Sequence, residues 1–105
     1  MDLSPEVKDL YQQLVTEIKK IGSVVVEEKK TSIHIKNKAG FAGIHPRKSY
    51  FILTIVSEAP IVSVRIVKQE QVSKNRFHNE VRVEKPDDID EELLQWLKSA
   101  YQLMT

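Results

Sequence analysis

The sequence predicts an α+β two-layer sandwich, read as a single domain over residues 1–105: an N-terminal helix, an antiparallel meander of about five or six strands, and a C-terminal helix. Three observations predict it. Apolar residues recur at three-and-four spacing near both ends of the chain. The middle switches to a period of two and is rich in β-branched residues. Its connections, such as Asn37-Lys38-Ala39-Gly40 and Pro46-Arg47-Lys48-Ser49, are too short for crossover helices, so consecutive strands are expected to pair as hairpins.

The first helix is expected over residues 4–21, where Val7, Leu10, Tyr11, Leu14, Val15, Ile18 and Ile21 draw one stripe. Ser4 suits the N-cap and Pro5 the first helical position, while Lys19 and Lys20 complement the dipole at the far end and Gly22 suits a left-handed cap. The sheet is expected within residues 23–83, with strands near Val24–Glu28, Ser32–Lys36, Phe41–His45, Tyr50–Val56, Val62–Val67 and Phe77–Val83. The second helix is expected over 87–104, opened by Asp88 and Glu91 at capping-box spacing and striped by Ile89, Leu93, Leu94, Leu97, Ala100, Tyr101 and Met104. Trp96 lies at the edge of that stripe.

Turn geometry then assigns the faces of the sheet. A tight turn at Lys38-Ala39 brings His34 opposite Gly43 and Ile33 opposite Ile44; a turn over Pro46 to Ser49 sets His45 opposite Tyr50 and Ile44 opposite Phe51. Ile33, Ile35, Ala42, Ile44, Phe51, Leu53 and Ile55 share one apolar face, continued by Val62, Val64, Ile66, Phe77, Val81 and Val83. Both helices must bury their stripes on it. The opposite, open face collects His34, Lys36, Phe41, His45, Tyr50, Ile52, Thr54, Arg65, Arg76, His78, Glu80 and Arg82.

The formal charge of +1 hides a segregation: residues 19–82 carry thirteen basic and five acidic side chains, whereas both flanking segments are acidic. Such asymmetry bears on partners rather than on fold. The chain has no cysteine, which excludes disulfides, thiolate metal sites and a cysteine nucleophile and suits a reducing compartment. Its longest apolar runs fall far short of a membrane span, and Met1-Asp2-Leu3-Ser4-Pro5 shows no export signal. A cytoplasmic protein with no membrane association is expected. No phosphate-binding loop, dinucleotide fingerprint or serine-nucleophile motif is present, and no cofactor is expected.

The chemistry-bearing residues are His34, His45 and His78, which share the outward parity, and Arg47, Lys48 and Arg76 beside them. His34 and His45 would be diagonal neighbours, roughly 7–8 Å apart at the backbone, and Gly43 would leave room for a ring. His45-Pro46-Arg47-Lys48 suits a carboxylate or phosphate. Lysines, arginines and aromatic rings together also suit single-stranded nucleic acid, and Phe41, Tyr50 and Ile52 suit a homodimer through the open face. An ordinary solvated face explains the same residues. The acidic run from Asp87 to Glu92 is explained by a helix start.

Lys30-Thr31-Ser32-Ile33-His34, Phe41-Ala42-Gly43-Ile44-His45-Pro46-Arg47-Lys48, Arg76-Phe77-His78 and Glu92-Leu93-Leu94-Gln95-Trp96-Leu97-Lys98-Ser99-Ala100-Tyr101 together resemble an uncharacterised prokaryotic domain family. Some of its members are labelled predicted transport proteins. The resemblance implies no activity; its polar signature falls on His34, His45, Arg47, Lys48, Arg76 and His78. Helix–sheet–helix topology is also similar to the frataxin-like iron chaperones, an analogy of fold alone. The leading expectation is a small non-enzymatic binding or adaptor domain taking an anionic ligand or partner on its open face. The alternatives are a metal-handling protein and an enzyme using histidine acid–base chemistry.

Overall fold

A computed structural model describes residues 3–104. The expected limits at residues 1 and 105, and the Met1-Asp2 start, lie outside the described residues. Helix α1 (Pro5–Lys19) starts as its sequence dictates: Ser4 Oγ accepts from the Val7 N–H at 3.3 Å, and Pro5 takes the first position. Val7, Leu10, Leu14 and Ile18 are buried. Its end differs from expectation. Lys20 closes the helix with right-handed backbone, and no described residue has a positive φ. Gly22 is required instead by close packing, because a Cβ there would fall 2.6 Å from Tyr101 Cζ.

Six strands follow, β1 (Val25–Glu28), β2 (Ile33–Lys36), β3 (Gly40–Pro46), β4 (Phe51–Ser57), β5 (Ile66–Ser73) and β6 (Arg76–Val83), all antiparallel to their neighbours. Ile33 pairs with Ile44 and His34 with Gly43, as the first turn predicts. The next pairing lies two residues away from expectation, His45 opposite Ile52 and Pro46 opposite Phe51. Pro46 has no N–H to close a turn, so Arg47 donates to Tyr50 O at 2.8 Å. A shift of two preserves every face, and Ile44, Phe51, Leu53 and Ile55 are all fully buried.

Phe41 departs from its expected place on the open face. Ile35 pairs with Ala42 and Lys36 with Gly40, leaving Phe41 as the extra residue of a bulge. Its ring is fully buried and meets Tyr101 edge-on, with centroids 5.6 Å apart.

The larger departure follows β4. The segment expected as a strand over Val62–Val67 is an irregular connection, and Val62 and Val64, expected in the core, are exposed. The strand begins at Ile66, and the sheet order is β1-β2-β3-β4-β6-β5, so the meander is interrupted where β6 inserts between β4 and β5. Composition explains the exchange. Val81 and Val83 give β6 an apolar face to bury beside β4, whereas Lys68-Gln69-Glu70-Gln71 tolerates an edge. Phe77, expected in the core, is half-buried opposite Ser57 at the end of β4.

The fold class is as expected: both helices pack against the sheet and share one core with β2, β3, β4 and β6. Helix α2 (Glu91–Leu103) buries Leu93, Leu97 and Ala100. Its cap lies two residues beyond the expected Asp88: Asp90 Oδ1 accepts from the Leu93 N–H at 3.0 Å. That bond holds the Asp90 carboxyl below its ordinary range. Asp88 instead ends a 3₁₀ turn (Pro86–Asp88) and accepts from the Glu84 N–H at 2.9 Å. Among the described residues no helix is long and apolar enough to cross a membrane.

Candidate functional site

Strand pairing sets one row of residues across the open face: Glu27 on β1, His34 on β2, Gly43 on β3, Thr54 on β4, Glu80 on β6 and Lys68 on β5. His45 lies two residues along β3 from Gly43, and His78 two residues along β6 from Glu80, so both share this face. His78 is itself paired with Glu70. At the middle of the row the missing side chain of Gly43 leaves a concavity of about 360 Å³, bounded by His34, His45 and His78, by Glu70 and Glu80, and floored by Gly43 and Thr54.

Three of the six residues singled out in the sequence, His34, His45 and His78, therefore line one hollow. His45 Nε2 lies 3.7 Å from where a Gly43 Cβ would stand, an ordinary van der Waals contact, and no His34 atom is among the nearest neighbours, so the expected room for the His34 ring is not needed there. His45 is half-buried, whereas His34 and His78 are exposed. Burial lowers the His45 pKa, and the positive charge of Arg47 and proximity to His34 act the same way; Glu80 opposes them.

The other three do not line the concavity. Arg47 folds back on its turn, with Nη1 donating to Pro46 O at 3.1 Å, and Lys48 is exposed in the same turn. Arg76 starts β6 and donates to Asn75 O at 2.8 Å. Arg65, expected on the open face, is on the helix side. Its guanidinium reaches Asp90 at 2.9 Å, Glu92 at 3.1 Å and Asp88 O at 2.8 Å, and lies 5.6 Å from the Trp96 ring centroid. The irregular connection crosses to that side, which period-two parity does not describe.

The open face is also mixed in charge. Lys36 and Lys29 pair with Glu27, whose carboxyl their hydrogen bonds hold below its ordinary range. Arg82 pairs with Glu84 and stacks on Tyr50, 3.9 Å from the ring centroid. Glu70 was missed by sequence reasoning because its segment does not alternate; the polar run Lys68 to Gln71 is the signal that marks an edge strand there. Asn79 was missed as well. It is a fully buried polar residue, donating to Ile55 O and Ser57 Oγ and accepting from Gln69 Nε2 and the Ile61 N–H. Among the described residues no three His, Asp or Glu side chains are grouped to hold a metal ion.

Fold and site together define a two-layer α+β sandwich with a histidine- and glutamate-lined hollow on its uncovered sheet face. The chain belongs to the family described as a domain of unknown function (DUF5655), whose model matches residues 2–104. Comparison with curated proteins and with solved structures finds no match.

Proposed function

We propose that this domain is a non-enzymatic binding module and that the open-face concavity takes an anionic group, a phosphate or a carboxylate. The observation that carries this reading is that His34, His45 and His78, from three different strands, line one hollow floored by Gly43 and Thr54. Imidazolium rings donate from both nitrogens, and charge-assisted bonds to an anion are the strong ones. Glu70 and Glu80 repel an anion, and protonation of His45, whose pKa burial lowers, offsets them, so affinity rises as pH falls. Glu80 assists that protonation.

Titration with inorganic phosphate, read from the ring nuclei of the three histidines at pH of about 6 and about 8, tests the reading. The expected result is movement of all three rings, with tighter binding at the lower pH. Rings that stay still, or movement confined to Arg47, Lys48 and Arg76, overturn it. A parallel titration with single-stranded oligonucleotide at two salt concentrations separates a nucleic-acid partner from a free anion.

A further inference from the structure

The edge strand β5 is long and unpaired on its outer side, and its eight residues are exposed or nearly so. Of the five large hydrophobic side chains exposed among the described residues, four belong to β5 or to the connection entering it: Val62, Val64, Val67 and Val72. The apolar surface is thus gathered at one edge. Two bulges, at Val67 and Val72, bracket a regular ladder from Lys68 to Gln71. Lys68 pairs with Glu80 and Glu70 with His78, which places both charges on the open face.

We propose that β5 pairs with β5 of a second copy of this chain, antiparallel, about a two-fold axis at Gln69. In that register Lys68 faces the partner's Glu70, and Glu70 faces the partner's Lys68. Alternating charge two residues apart is self-complementary in an antiparallel pair and in no shifted register of the same ladder. Charged side chains and bulges on an edge exclude unrelated strands. Here the same charges select an identical one, attraction and rejection being supplied by the same residues. The contact is isologous and closes on itself, so a dimer forms rather than a fibre. The Gln69 amide does not crowd the axis, because it donates to Ile61 O and Asn79 Oδ1 within its own chain. Val67 of each copy comes beside the partner's Gln71 and Val72, which covers apolar surface that is otherwise wet.

The pairing also brings the partner's Lys68 to the rim of the concavity at Glu70, where it offsets a carboxylate that opposes anions. This last consequence rests on the ligand reading above; the dimer does not.

Charge exchange tests the interface. Sedimentation of the full chain is expected to give a dimer, and Lys68→Glu alone or Glu70→Lys alone is expected to give monomers with unchanged circular dichroism. The double exchange restores the dimer. So does an equimolar mixture of the two single variants, because each then meets opposite charges on the other, which a folding defect would not produce. A wild-type chain that stays monomeric from micromolar to millimolar concentration overturns the proposal. A dimer untouched by the exchanges, or one lost on Ile52→Glu at the open face, overturns it too. Phosphate titration of the Lys68→Glu monomer, whose substitution lies outside the lining of the concavity, reads the histidines independently, so the two proposals fail separately.

Discussion

The two halves of the sheet are held by different means. From β2 to β4 each strand turns directly into the next, and the alternation of Ile33, Ile35, Ile44, Phe51, Leu53 and Ile55 buries one face under the helices. From residue 58 to residue 73 no alternating face is buried, Val62 and Val64 being exposed; polar fastenings place this segment. Asn79 ties the connection and β5 to β4 through four hydrogen bonds, and Arg65 ties it to the start of α2. Apolar alternation tolerates a shift of two in register, as the β3–β4 pair shows, because the faces survive it. Polar fastenings tolerate none, since each partner must be met at hydrogen-bonding distance.

Substitutions that separate the two halves test this contrast. Leu53→Ala, at the centre of the alternating half, is expected to lower global stability by about 3–4 kcal/mol, measured by urea unfolding. Asn79→Ala leaves buried partners unpaired and is expected to cost roughly 2–3 kcal/mol. The distinguishing measurement is hydrogen exchange: protection falls first between residues 58 and 73 for Asn79→Ala and throughout the sheet for Leu53→Ala. Equal loss everywhere for Asn79→Ala would dissolve the distinction. Arg65→Ala is expected to cost about 1 kcal/mol, because its ion pairs are partly solvated, and to change Trp96 fluorescence as the guanidinium leaves the ring.

The smallest effect concerns pH. The native state holds the His45 pKa below its unfolded value, so between the two values the unfolded chain binds more protons and stability rises with pH. The contribution is fully present above about pH 6.5 and is lost as pH falls from there through the native value. His45→Gln is expected to flatten that slope in urea unfolding at stepped pH, leaving stability at pH of about 8 nearly unchanged. A slope that persists in the variant would assign it to another group.

Legibility in the sequence follows the same division. The helix α1 start, the His34–Gly43 register and the shared face of the three histidines were readable, because each depends on a cap or on strand alternation within a few residues. Phe41 was not, since one extra residue in a bulge turned its ring to the core. Arg65 was not either, because the alternation of Val62, Val64 and Ile66 falls largely on an irregular connection rather than a strand, nor was Glu70, whose polar run carries no alternation. Arg47, Lys48 and Arg76 share neighbourhood in sequence with the histidines, yet their turns hold them away from the hollow.

The sequence by itself determined the two helices, the period-two middle and the side of the sheet on which each imidazole emerges, because these are properties of local backbone geometry. Tertiary structure alone decided that β6 displaces β5 from the side of β4, and with it that Glu70 and His78 stand together at the hollow. That choice is a competition for the buried position in the sheet. It is settled by Val81 and Val83 against a polar strand and sealed by Asn79 hydrogen bonds between residues 10 to 24 positions apart, a separation no local pattern records.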